Sequence, residues 1–319
     1  MKMLSLPKIW KKILKYLFQS PPIQFFINYT KKAALPGFGD ISIYDISNFF
    51  FIGIQKGSIV MRAQSLAFSF FLAIFPAIIF VFSLIAYIPI ANLQADVMVL
   101  IQSLMPKEAF QWTKDTIEDI IRIQRGGLLS LGFIFALYFT TNGFMTMMRG
   151  FNSSYHIDEI RSPWQQRKTA TVLTLILTTL TVVATTLILI SGKATKFLVQ
   201  KHILKSKTQV AMLLIGKWAV VLALLFFAIS FLYYYAPAVK KRWTFISPGS
   251  TFATLLSILF STGFAFFVNN FGRYNKVYGS IGTIIVVMLW IYFNSVSLVL
   301  GFELNASIDN AKRKIQKKI

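Results

Sequence analysis

Asp115, Glu118 and Asp119 are spaced three and four residues apart, which places three carboxylates on one face of a helix where they could hold a hard cation. Lys114 and Arg122 stand beside them, so a solvated face with local counter-charges accounts for the same pattern. The rest of the reactive inventory is thin. The chain has no cysteine, which excludes disulfides, thiolate metal sites and thiol nucleophiles, and only two histidines, His156 and His202. Phosphodiester cleavage needs an acid–base pair or carboxylates around paired metals. The histidines fall in different loops, and Asp158 and Glu159 have no third ligand beside them, so a nuclease is disfavoured and no catalytic residue, cofactor or metal is expected.

The remaining polar side chains of interest are embedded in apolar runs, where an unpaired group costs several kcal/mol and is a functional candidate by default. Asn142, Asn269, Asn270 and Asn294 should face an interior with partners or water, while Arg149 and Glu303 end two runs on the same side and could pair. Thr171, Thr174, Thr178, Thr181 and Thr185 form a stripe that is either a packing face, with each hydroxyl returned to its own helix, or a polar path. Lys217 stands at the edge of a run and could snorkel. Lys240, Lys241 and Arg242 are candidates for contact with a phosphate headgroup.

These residues must be positioned by membrane helices. The 319-residue chain is 55% hydrophobic and 14% charged with net charge +22, and its basic residues lie between long uncharged runs, so the partner is a bilayer and not nucleic acid. Six runs can cross as helices: Leu66 to Ile90, Leu128 to Met148, Thr169 to Ser191, Trp218 to Ala236, Thr251 to Phe271 and Gly279 to Phe302. Lys and Arg number 21 on the side of the N-terminal segment and tail and 11 on the other, so both termini are expected in the cytoplasm. The fold expected is all-α and polytopic, in a cell inner membrane.

Residues 1–40 read as a basic surface segment, 41–306 as the six-helix domain and 307–319 as a basic tail. From Leu6 to Phe18, apolar residues at helical spacing oppose Lys8, Lys11, Lys12 and Lys15, which suits anionic lipid at the cytoplasmic face. Ile41 to Arg62 reads as a second juxtamembrane helix. Between the first two spans Pro106 should divide an outer segment into two short helices. Ser162-Pro163-Trp164 and Ser247-Pro248 echo each other as helix starts, Pro76 interrupts the first span, and Ser297 with Gly301 offers a small-residue contact on the last.

The stretch from Phe267 to Gly282, containing Tyr274-Asn275-Lys276-Val277-Tyr278-Gly279-Ser280-Ile281-Gly282, together with Gly301-Phe302-Glu303-Leu304-Asn305-Ala306, Leu66 to Pro76, and Pro237, resembles the YihY/virulence factor BrkB family. The resemblance covers roughly Ile41 to Ala306 and implies a six-helix inner-membrane protein. Some members carry a former ribonuclease BN label, which supplies no mechanism. Gly272, Gly279 and Gly282 would let a seven-residue outer loop turn, with Tyr274 and Tyr278 anchoring at the interface and Asn275 tightening the turn. The function expected is a transporter or exporter of an anionic amphiphile, against the alternative of a non-catalytic envelope scaffold. Either leaves room for a homo-oligomer.

Overall fold

A computed structural model describes residues 24, 30, 42–56, 59–89, 92–104, 107–154, 159–201, 207–238, 245–270 and 274–316. Every regular element among them is helical: α1 (Ile43–Lys56), α2 (Ile59–Ile85), α3 (Leu93–Leu104), α4 (Lys107–Arg122), α5 (Gly126–Ser154), α6 (Pro163–Gln200), α7 (Lys207–Tyr235), α8 (Pro248–Asn270) and α9 (Tyr274–Gln316). Six of these helices, α2 and α5 to α9, contain apolar windows long enough to cross a membrane. They correspond one to one with the six runs. Their outward faces carry residues such as Phe75, Ile78, Leu131, Val182, Leu255 and Phe266, all exposed. Side chains of that kind need hydrocarbon as their solvent.

The chain divides into two compact units, a larger one from Ser58 to Phe302 and a smaller one of Met1–Gly57 with Glu303–Ile319. In the smaller unit α1 passes close to the last turns of α9, and a Cβ added at Gly53 would strike the Glu303 carboxylate. Ile46, Ala306, Ile308 and Ala311 are buried there. Helix α9 thus continues unbroken through residues 307–316, with Arg313 paired to Asp309 at 2.9 Å. The amphipathic segment from Leu6 to Phe18 lies outside the described residues.

In the larger unit α2 and α5 form the most extensive helix pair. They run antiparallel: the Phe80 and Phe133 rings and the Phe70 and Phe144 rings are both 5.4 Å apart, while Arg62 reaches Gly150. Gly132 makes that approach possible, since a Cβ there would come within 3.1 Å of the Phe80 backbone nitrogen. The helices α5, α6, α7 and α8 then pack as successive neighbours. On α9, a Cβ at Gly301 would come within 2.5 Å of Ala253 and of the Tyr233 hydroxyl, so the expected close contact forms there. Phe151 stacks on Phe302 at 4.0 Å and Tyr233 meets both rings edge-on, which ties α5, α7 and α9 in a dry aromatic core.

Both Ser-Pro starts are capped reciprocally. Ser162 Oγ accepts from the Gln165 amide and Gln165 Oε1 accepts from the Ser162 amide, at 3.3 and 3.2 Å, and Ser247 and Ser250 exchange the same pair of bonds at 3.1 Å. Pro163 and Pro248 follow as the first helical residues, where a missing N–H costs nothing. Trp164 is 82% exposed, as suits a residue at headgroup level.

The segment between α2 and α5 forms the expected pair of short helices around Pro106, α3 and α4. Ile101, Phe110, Ile117 and Ile121 bury themselves with Ile85 at the end of α2. Asn92 holds a left-handed backbone, φ 64°, one residue ahead of α3, a conformation asparagine tolerates.

Three expectations about element limits are corrected. Lys217 does not begin its helix: α7 starts at Lys207, ten residues earlier, and the lysine Nζ lies 5.2 Å from the Trp218 ring. The seven-residue turn shrinks, because α9 starts at Tyr274 and places Asn275, Tyr278, Gly279 and Gly282 on a helix, leaving only residues 271–273 between α8 and α9. Helix α6 has 38 residues, about 57 Å at 1.5 Å per residue, against a hydrocarbon core of about 30 Å. A crossing of about 20 residues therefore leaves part of α6 outside the hydrocarbon core.

Candidate functional site

The polar residues of the larger unit gather on α5 and its neighbours. Arg167, in the second turn of α6, points its guanidinium at the middle of α5: Nη1 donates to Thr141 Oγ1 at 2.8 Å and to Asn142 Oδ1 at 3.0 Å, and the Tyr138 ring lies 5.2 Å from the guanidinium carbon. The Thr141 hydroxyl passes its own proton to the Tyr138 carbonyl at 2.9 Å. Any crossing of about 20 residues placed within the 29 of α5 includes Thr141 and Asn142. Arg167 therefore bonds to residues that such a crossing includes. The sequence had hidden it because the uncharged run begins two residues later, at Thr169, which made Arg167 look like a loop charge.

Arg62 was missed for the same reason. It stands in the first turn of α2, ahead of the apolar run, and its Nη1 donates to the Gly150 carbonyl at 3.0 Å and to Ser154 Oγ at 2.5 Å. These acceptors lie at the C-terminal end of α5.

Beyond Ser154 a second set of bonds closes the same end. Glu159 accepts from Arg161 Nε at 2.7 Å, from Arg161 Nη2 at 2.9 Å and from Asn152 Nδ2 at 2.8 Å. Arg161 Nη2 also donates to the Ala236 carbonyl at 2.8 Å, and Asn152 Oδ1 accepts the Ala238 amide at 2.8 Å. Five residues thus clasp the end of α5 to the end of α7 on either side of Pro237. Burial pushes the Glu159 carboxyl up, but the hydrogen bonds and charge of Arg161, with Asn152, outweigh it and hold the group below its ordinary value.

Of the residues singled out from sequence, Asn142 is half-buried and joined to Arg167. Asn294 keeps its amide within its own helix, donating to the Trp290 carbonyl at 2.9 Å, so it finds a partner without reaching across the bundle. Arg149, in the larger unit, is exposed, and Glu303, in the smaller unit, is 4% exposed. Asn269, Asn270, Tyr274, Asn275, Tyr278 and Gly279 lie in helices at positions whose side chains are outside the description, and Lys240, Lys241, Arg242 and Gly272 lie outside the described residues altogether.

The threonine stripe resolves as a packing and surface feature. Thr171, Thr174 and Thr181 each return the hydroxyl to the carbonyl four residues back, and Thr178, Thr181 and Thr185 are exposed. The carboxylates of α4 are engaged locally, Glu118 with Arg122 at 2.8 Å and Asp119 with Arg125 at 2.7 Å. No group of three metal-ligating side chains occurs among the described residues.

An apolar groove of about 360 Å³ lies between α2, α5 and α9. Phe70, Ile74, Ala77, Trp290 and Leu298 line it, and Thr140, Asn294 and Ser295 supply its polar atoms. A second groove of about 360 Å³ is walled by Gln64 and Ala67 of α2 and Ile285, Met288, Leu289 and Tyr292 of α9.

Comparison with known proteins fits this architecture. The virulence factor BrkB family matches residues 50–318. The chain belongs to that family. It is 33% identical to the ribonuclease-like protein YfkH of Bacillus subtilis over 252 residues, 79% of this chain and 90% of YfkH. It is also 32% and 35% identical to UPF0761 membrane proteins of Tolumonas auensis and Pseudoalteromonas translucida, over 77 residues in each case. Those two matches take in 24% of this chain and 26% of each relative. No solved structure matches the chain. This BrkB-family protein is thus a multi-pass membrane protein with six helices able to span.

Proposed function

We propose that the protein is a transporter or exporter that moves an anionic amphiphile. The observation that carries this reading is the groove of about 360 Å³ between α2, α5 and α9, which falls within the usual range for small-molecule sites. Its aromatic and aliphatic walls suit an acyl chain, while Thr140, Asn294 and Ser295 are spaced to orient a polar end. The excess of Lys and Arg flanking alternate spans supports an inner-membrane placement with both termini in the cytoplasm. Lys240, Lys241 and Arg242 would then meet headgroups at the cytoplasmic surface.

A non-catalytic reading is supported by the engagement of Glu118, Asp119 and Glu159 with arginines, which leaves those carboxylates poorly placed to bind metal or take a proton. The ribonuclease-like name of YfkH is a statement about that protein. One observation favours a scaffold as second reading: the outer part of the threonine stripe on α6 is exposed and its Thr181 hydroxyl is satisfied within the helix, which suits association with another membrane helix.

The test is movement of a fluorescent phosphatidylglycerol between leaflets of proteoliposomes, with Ala77→Trp filling the groove. Transport above protein-free vesicles, cut at least about tenfold by the substitution, is the expected result. A wild-type rate equal to that of empty vesicles would remove the transport reading and leave the scaffold.

A further inference from the structure

Arg167 is an unusual cation. The ion pairs of the described residues do not include it, and its bonds go to a hydroxyl, an amide oxygen and an aromatic face, all neutral. A hydrogen-bond inventory shows what remains. Both hydrogens of Nη1 are used by Thr141 and Asn142, while the Thr141 proton is already given to the Tyr138 carbonyl. Donors are left over: Arg167 Nε and Nη2, and the Asn142 amide, whose oxygen is turned toward the guanidinium. None of these has a partner among the described residues.

A cluster with one full positive charge and surplus N–H groups is suited to receive an oxyanion. The fork of a guanidinium matches two oxygens of a phosphate, and the adjacent amide can take a third. Where water is scarce, such a charge and its donors gain more from an anion than they would in bulk solvent.

We propose that Arg167 and Asn142, braced by Thr141 and Tyr138, form a binding site for a phosphate oxyanion at the α5–α6 contact. The chemistry is shared by a phospholipid headgroup and by free phosphate. The site stands without the transport reading, since a scaffold could hold a lipid there as well.

The test uses the full-length protein in phosphatidylcholine nanodiscs, with thermal midpoint and lipid retention in native mass spectrometry as readouts. One arm adds dioleoyl phosphatidic acid to the disc and the other adds inorganic phosphate to the buffer. Raised midpoint and retention with phosphatidic acid alone assign a headgroup, and a response to inorganic phosphate alone assigns the free ion. Either response should weaken by about tenfold or more in apparent affinity with Arg167→Gln, and by less with Arg167→Lys, which keeps the charge but loses the fork.

Should Arg167→Gln not fold, Asn142→Asp carries the test. It supplies a carboxylate to the guanidinium, and is expected to preserve the thermal midpoint while abolishing the anion response. No response in either arm, or a response in Asn142→Asp equal to wild type, would overturn the proposal.

Discussion

Where α2 begins, Arg62 ties it to Gly150 and Ser154, and the Glu159–Arg161–Asn152 clasp ties α5 to Ala236 and Ala238. Where α2 ends, Ile85 packs with Ile101, Phe110, Ile117 and Ile121, and the charges of α4 stay outside that cluster. The first end depends on directional bonds to chain-end carbonyls and amides. The second depends on apolar burial, which has no preferred direction and does not respond to pH. A membrane protein can therefore close one end with chemistry that is sensitive to its surroundings and the other with packing that is not.

The largest effect expected from breaking this contrast is at the apolar end. Ile121 is fully buried, and Ile121→Ala should cost about 2–5 kcal/mol, felt in α3 and α4. Hydrogen exchange should rise in those two helices and stay unchanged at residues 150–161. Uniform exchange across both ends would mean that they do not open independently.

At the polar end, Arg161→Ala removes the partner of a carboxylate 16% exposed and strands the Ala236 carbonyl. The cost expected is about 2–3 kcal/mol. A lowered midpoint of thermal unfolding in detergent measures it, and Arg161→Lys should recover only part because one point charge replaces a three-bonded fork.

Acidification should act on the same clasp with smaller effect. Glu159 has a folded-state value below its ordinary one, so its contribution is present above the ordinary carboxylate value and is lost as pH falls through the lower, folded value. The midpoint of wild type should drop relative to Glu159→Gln over that acidic window, and parallel curves would show the clasp does not titrate with folding. Arg122→Ala sharpens the comparison from the other side. Arg122 is itself exposed and Glu118 only half-buried, and the change should stay within about 0.5 kcal/mol.

The sequence displayed whatever depends on composition and local spacing. Uncharged runs marked six spans, Pro106 marked the break between α3 and α4, the two Ser-Pro pairs marked helix starts, and Ser297 with Gly301 marked close packing. What escaped is where helices continue through charges. Arg62, Arg167 and Lys217 each interrupt or border an apolar run, so a reading based on uncharged length ends the span there, although a long side chain can be carried inside when acceptors or an aromatic face await it. The clasp escaped because its members are distant in sequence, Asn152 meeting Ala238 across 86 positions. The threonines and Asn294 looked like interior polarity, and in the fold they are largely content with carbonyls of their own helices.

The overlong α6 has one more consequence. Its turns after Ser191, where the uncharged run ends, carry Lys193 and Lys196 in sequence. Trypsin added to sealed vesicles can cut there from one face only, so the molecule carries its own marker of sidedness. A single gel of intact and lysed vesicles would assign every loop to its compartment.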